Sequence, residues 1–294
     1  MARSRWRGGD GGLAGRMLLV MGLLALVYLG FLAFLVFLDL PLPWLLVIAA
    51  VLLGAQYFFS DKLVLLSLGA REVSPQQAPD LHERIERLCA LSDLPKPRVA
   101  IIQHDMPNAL ATGRDPQHAV VAVTTGLLRR LEGPELDAVL AHELSHILNR
   151  DVMVMTIASF FSTVAFFLFR SLFYVRLGGG RDRRGNGSAV LVLWVVSLAV
   201  WLVSMLLLRA LSRYREVAAD RGSALITGSP SHLAAALVKI SGSMARIPKD
   251  DLRAVEGANA FFIVPALSEL IATHPSLETR LRYLQELERE MERP

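Results

Sequence analysis

The sequence predicts an α+β integral membrane protein: mostly helical, with four transmembrane helices and a cytoplasmic domain containing a small β-sheet. Three observations predict it. Hydrophobic residues make up 53% of the 294, and the mean hydropathy is +0.43, both above an ordinary soluble domain. The excess is concentrated in four apolar runs, each close to the roughly 20 residues a helix needs to cross the hydrocarbon core. Elsewhere the composition is that of a soluble domain, in which short valine-rich runs alternate with helical patterns.

Residues 1–61 read as a basic tail and a membrane hairpin, with spans at about 17–38 and 42–60. Met17 to Leu38 carries no charge, and neither does Trp44 to Phe59. Between them, residues 39–43 contain Pro41 and Pro43, which stop one helix and permit the next to begin. A cleaved signal peptide is the competing reading; the first run exceeds its usual apolar length and no A-x-A site follows. A second hairpin is predicted over 152–209, from runs Val152–Val175 and Ala189–Leu208. Arg170 lies near the end of the first of these, where it can snorkel.

Lys and Arg placement sets the orientation. Arg3, Arg5, Arg7 and Arg16 precede the first span, Lys62 and Arg71 follow the second, and the turn at 39–43 has no basic residue. The tail and the segment after the hairpin are therefore expected in the cytoplasm, and with four spans the other terminus too. The basic loop at 176–187 opposes this scheme if the second hairpin crosses fully, and a hairpin held within protein or at the interface is the alternative. The net charge of +4 comes partly from these flanking arginines; no nucleic-acid motif accompanies it. The single cysteine, Cys89, forms no internal disulfide and lies in a stretch of helical period, which points to core packing.

Residues 62–151 and 210–294 are expected to form the two parts of the soluble domain. Pro79–Leu91 has apolar residues at 81, 85, 88 and 89 and reads as an amphipathic helix. Arg98–Gln103 and His118–Thr124 read as strands, and the turn-rich segment 106–116 joins them as a β-hairpin. A helix from Thr125 to Gly133 follows. The next starts at Pro134, with Glu135 and Asp137 at its positive end, and continues through Leu148.

That last helix carries the most specific signal, the H-E-x-x-H run of His142, Glu143 and His146. Positions i and i+4 share a helix face, so both histidines reach one metal ion. Glu143 is offset by about 100° and can act on a water bound to that metal, the arrangement of a zinc hydrolase with a glutamate base. A third protein ligand is required. The pattern with a third histidine six residues after the second is absent, because Val152 stands there and Asn149 replaces the usual glycine. Farther on, Glu216 and Asp220 share one face of a helix. Two readings fit them. In one, Glu216 binds zinc and Asp220 accepts a hydrogen bond from a ligand histidine. In the other, they lie on a solvated charged helix, with Glu216 paired to Arg213 or Arg215.

The ordered set of H-E-x-x-H with Asn149 and Asp151, then Arg215, Glu216 and Asp220, residues 107–113, and Thr273–Ser276 with Arg280 resembles the HtpX family of membrane-bound zinc metallopeptidases, relatives of the Oma-type and CAAX-prenyl endopeptidases. The resemblance spans nearly the whole chain. It implies a zincin-like domain, one Zn2+ held by His142, His146 and Glu216, and Glu143 as the base. It implies a multi-pass protein of a bacterial-type inner membrane, which cleaves unfolded or damaged membrane proteins at a cytoplasmic site under stress. Residues 107–113 resemble the family's substrate-side edge, with Asn108 and Ala109 against the peptide; a turn stabilised by Asn108 is the other reading. His274, Tyr214 and Arg280 are candidate oxyanion donors; Arg280 is also a candidate substrate-binding residue, and alternatively the ion-pair partner of a carboxylate at the site. Leu110 and Val217 stand where the family commonly has aromatics. The rival functions are a specific processing endopeptidase, for a prenyl-type or membrane substrate, and a non-catalytic scaffold. The oligomeric state is not legible.

Overall fold

The structure, a computed structural model, describes residues 11–38, 65–177, 187–244 and 275–293, with isolated positions between 47 and 62. Among these the helices are α1 (Gly11–Phe37), α2 (Pro79–Ser92), α3 (Thr125–Arg130), α4 (Gly133–Leu148), α5 (Asp151–Leu177), α6 (Gly187–Thr227), α7 (Pro230–Met244) and α8 (Leu277–Glu292). The strands are β1 (Arg71–Glu72), β2 (Arg98–Ile102), β3 (Ala109–Thr112) and β4 (Val120–Thr124). The described residues separate into two compact units, one within 10–57 and 154–211 and the other within 58–153 and 212–294.

The first unit is apolar. Three helices among the described residues are long and apolar enough to cross a membrane: Gly11–Phe37, Asp151–Phe173 and Val190–Thr227. They correspond to the first, third and fourth expected spans. The second, at 42–60, lies largely outside the described residues, as do the tail through residue 10 and loop positions 178–186. Large apolar side chains such as Leu18, Leu26 and Phe37 stand open on α1, a surface that lipid tails satisfy and water does not. Tyr28 donates to the Ala158 carbonyl at 2.6 Å, so its hydroxyl is satisfied inside this unit. Phe31, Leu35 and Ala165 form its packed centre, and the Phe169 ring stacks against Trp201.

The second unit is built on a four-stranded sheet of order β1-β2-β4-β3. The two predicted strands exist, but they do not form a hairpin. β2 and β4 pair in parallel, from Arg98 opposite Val120 to Ile102 opposite Thr124. The turn-rich segment between them holds β3, which pairs antiparallel to β4 on its other side. The hairpin is therefore β3–β4, turned at Gly113. That residue has φ +128, and a Cβ there would stand 2.6 Å from the His118 carbonyl oxygen, so only glycine fits. All five residues of β4 are buried, as a central strand covered on both faces requires. Val121 and Val123 face the larger core with α2, α4, α7 and α8, while Val120 and Ala122 face Leu65 and Ala100 on the opposite side. Cys89 lies buried in the larger core, as its helical surroundings predicted.

Helix α4 begins where the Glu135 side chain accepts the Glu132 backbone N–H at 3.0 Å, one of the donors that a helix start leaves unsatisfied. Lys239 of α7 binds the same carboxylate at 2.6 Å, and Arg84 of α2 reaches Asp137 at 2.9 Å. α4 is buried along nearly its whole length, so its polar residues must find partners inside the protein. α6 differs from expectation. The predicted fourth span and the helix bearing Glu216 are one unbroken element of 41 residues. No proline interrupts the stretch after Leu208, and its Ala, Leu, Arg and Glu residues are good helix formers. The helix ends at Gly228, which is in the left-handed region at φ +74, with Pro230 following.

Candidate metal centre

The site forms where the C-terminal half of α4 meets the later part of α6. Two features set how closely these helices approach. Gly222 of α6 packs directly on Ser145 of α4, and a Cβ at 222 would fall 2.3 Å from Ser145 Oγ. One residue on, the Ser223 hydroxyl donates to the Ala138 carbonyl at 2.7 Å. This approach places the Glu216 carboxylate against the two histidines. Glu216 Oε2 is 3.6 Å from His142 Nε2, Glu216 Oε1 is 3.5 Å from His146 Nε2, and the two Nε2 atoms are 3.2 Å apart.

These donors fit a zinc ion. In a tetrahedral site with ligand bonds of about 2.0–2.1 Å, neighbouring donor atoms stand about 3.3–3.4 Å apart, close to the spacings here. One donor atom from each of the three residues lies within 4.8 Å of the others, and no other such group occurs among the described residues. Charge agrees. Among the described residues, the carboxylates of Glu143, Glu216, Asp151 and Asp220 gather here with the guanidiniums of Arg215 and Arg280, an acidic setting that suits a divalent cation.

Behind the donors the site is braced. His142 Nδ1 lies 3.0 Å from Asp220 Oδ1, the partner expected for a ligand histidine. Asp220 is fully buried and held by Arg280, whose Nε and Nη2 lie 2.9 and 2.5 Å from its two oxygens. Burial opposes the charge on Arg280, but Asp220, Glu216 and Glu143 outweigh it and keep the guanidinium protonated. Burial likewise pushes His142 down, yet Asp220 and then Glu216 push it further the other way, to about 9. Glu143 is 4% exposed beside them on α4.

Arg280 is the partner of Asp220, deep in the site. Arg215 pairs with Asp151 at 2.9 Å. Tyr214 is two residues from Glu216, about 200° around the helix, so the two do not share a face. Asn108 is buried at the start of β3. Its N–H donates to Thr124 Oγ1 at 2.9 Å, and its carbonyl accepts the Thr124 N–H at 2.9 Å. Ala109 follows, buried and paired with Val123. His274 lies outside the described residues. Sequence reading assigned no role to Asp151, whose carboxylate lies 2.6 Å from His146 Nδ1. The signal available was an acid just past the end of the motif helix. Its aim depends on Arg150, which takes φ 54 and bends the chain back toward the histidine. A small pocket lined by residues including Ala111, Thr112, Gly113, His146, Ile147 and Arg150 lies beside the site.

A profile of peptidase family M48 matches residues 75–288. The chain is 60% identical over 295 residues to the protease HtpX homolog of Moorella thermoacetica, with 98% of each chain covered. It is 57% identical over 288 residues to protease HtpX homolog 2 of Methanosarcina acetivorans, covering 96% of this chain and 97% of that one. It is 49% identical over 295 residues to protease HtpX homolog 1 of Streptomyces coelicolor, covering 98% and 97%. Among solved structures, the S. mikatae Ste24p crystal structure aligns with a TM-score of 0.55 at 19% identity, a likeness of fold. That match covers 88% of this chain, and this chain spans 62% of that one.

Proposed function

The chain belongs to peptidase family M48 as one of its HtpX proteases, a membrane metalloendopeptidase, and from that premise we propose that it cleaves unfolded or damaged membrane proteins at a zinc site facing the cytoplasm. The observation that carries the reading is the spacing of His142, His146 and Glu216 about one point, with Glu143 on the same helix. His142, His146 and Glu216 would hold one zinc ion per chain. When bound, it supplies Lewis-acid activation of a water molecule and of the scissile carbonyl. Glu143 takes the proton of the attacking water and delivers it to the leaving amine. Asp220 holds the ring orientation of His142 from behind.

The edge of the sheet beside His146 supports an extended peptide as substrate. Among the described residues β3 is the last strand of the sheet, and its Ala111 and Thr112 line a small pocket with His146. A peptide added along this edge is recognised through its main chain, with little demand on sequence. Such recognition suits a protease that acts on unfolded segments of many proteins and serves quality control under envelope or heat stress. The cytoplasmic orientation follows from Arg3, Arg5, Arg7, Arg16, Lys62 and Arg71 flanking the first hairpin.

The test compares wild type, Glu143→Gln and Glu216→Ala, purified in detergent, on an unfolded protein substrate, with zinc content determined for each. The expected result is zinc-dependent cleavage by wild type. Glu143→Gln keeps its zinc and loses turnover by at least about 100-fold. Glu216→Ala loses both zinc and turnover. An intact, zinc-loaded wild type that leaves the unfolded substrate whole would refute the broad quality-control role.

A further inference from the structure

Both histidines of the centre are supported in the same way, and only one support involves the carboxylate partner that the sequence suggested. His142 rests on Asp220, and Asp220 on Arg280. His146 rests on Asp151, with Nδ1 2.6 Å from Oδ2, and the other oxygen of Asp151 lies 2.9 Å from Arg215 Nε. Asp151 is 2% exposed, and both of its oxygens are engaged. It opens α5, yet its carboxylate is turned toward the ring rather than its own first turn, because Arg150 sits in the left-handed conformation.

We propose that Asp151 and Arg215 are positioning residues for His146: Asp151 fixes the imidazole with its Nδ1 proton inward and its Nε2 lone pair toward the metal, and Arg215 fixes Asp151. This rests on the metallopeptidase reading above. The chemistry is direct. A neutral imidazole has one donor and one acceptor nitrogen, so a carboxylate on Nδ1 selects the form whose Nε2 can bind a metal. A carboxylate with a free oxygen can swing; one held on its second oxygen by a guanidinium cannot do so without breaking a buried ion pair. Arg215 immediately precedes Glu216, so a single turn of α6 supplies the third ligand and the brace of the second. Any displacement of that turn loosens two of the three donors together.

The alternative is that Arg215 and Asp151 merely staple α6 to the start of α5. The full chain, in detergent, separates the two in the variants Asp151→Ala, Asp151→Asn, Arg215→Ala and Arg215→Lys. Zinc affinity by chelator competition and the visible absorption of the Co2+-loaded protein report on the donors. The melting temperature of the metal-free protein reports on the staple. Asp151→Ala is expected to weaken zinc about 10–100-fold and to alter the Co2+ spectrum. Asp151→Asn recovers part of this, because its amide oxygen still accepts from Nδ1. Arg215→Ala is expected to weaken zinc about 10-fold, with substantial recovery in Arg215→Lys. If Asp151→Ala does not fold, the Asn and Lys variants carry the comparison. Variants with lowered metal-free melting but unchanged zinc affinity and Co2+ spectrum would overturn the proposal and leave the metal site standing. A folded wild type that binds no zinc would overturn the metal reading, and this proposal with it.

Discussion

Replacing Gly222 by alanine tests whether the approach of α4 and α6 builds the metal centre. The new Cβ would lie 2.3 Å from Ser145 Oγ and 2.7 Å from Ser145 Cβ. Rotating the serine hydroxyl relieves the first contact but not the second, because Cβ is fixed by the backbone. Carbon atoms rest about 3.5–4.0 Å apart, so the helices must separate by about 1 Å at this point. Glu216 lies six residues back along the same helix. Its oxygens would move from 3.5 and 3.6 Å to about 4.5 Å from the imidazole nitrogens, beyond the roughly 3.3 Å edge of a tetrahedral zinc site.

The expected cost is about 1–3 kcal/mol of stability from overpacking and on the order of 100-fold in turnover from the misplaced donor. Zinc release to a chelator should be faster. The decisive assay pairs Gly222→Ala with Ser145→Gly, which moves the small residue to the other helix and reopens the gap. The glycine itself costs about 0.5–1 kcal/mol in a helix interior. Zinc release and peptidase activity are measured for wild type, both singles and the double. The double should recover much of what Gly222→Ala loses. Wild-type zinc release and turnover in Gly222→Ala, or a double no better than that single, would refute the reasoning.

Two further predictions follow from the charges in the site. Because the buried His142 is held up to about 9 by Asp220 and Glu216, the metal-free site binds a proton that zinc must displace. Its folded value lies above the ordinary 6.5, so this proton stabilises the metal-free protein fully below pH 6.5, and the stabilisation is lost as pH rises through about 9. Zinc affinity should therefore climb between pH 6.5 and 9, up to about tenfold per unit; chelator competition showing a flat affinity there would contradict it. Separately, Arg280→Ala strands the fully buried Asp220 carboxylate and should cost about 3–5 kcal/mol in thermal or denaturant unfolding. Arg280→Ala with Asp220→Ala should recover stability but not zinc affinity, since His142 then lacks its acceptor; a double less stable than the single would count against a charge-compensating role.

The legible parts of the fold were those encoded locally. The helix at 79–92 and the motif helix declare themselves by apolar spacing and by Pro134, and the apolar spans by length. β3 was obscured because residues 109–112 are four short-range neutral residues set among Pro107, Asn108, Gly113 and Pro116, all turn formers. With β3 hidden, β2 and β4 looked like consecutive hairpin strands, whereas a strand inserted at the far side of β4 makes them parallel. The metal centre divides similarly. His142, Glu143 and His146 follow from helix geometry, but spacing alone left Glu216 between ligand and surface charge. The structure places its carboxylate against both histidines, set there by packing at Gly222 and Ser223, 76 and 77 residues past the end of the motif and not visible as a pattern. Asp151 was missed for a different reason: its role depends on one backbone conformation at Arg150 that no residue type there announces.

Arg280 follows Asp220 by sixty residues. A ribosome therefore completes the motif helix, two apolar segments and Glu216 before it makes the guanidinium that allows Asp220 to be buried as an anion. At about 5–20 residues per second, the interval is about 3–12 s. During it the nascent chain carries the proposed metal ligands His142, His146 and Glu216 but not the charge that seats the carboxylate beside His142. The peptidase would thus be inert while it is itself unfinished, its competence arriving with the helix that carries Arg280 rather than with the catalytic motif.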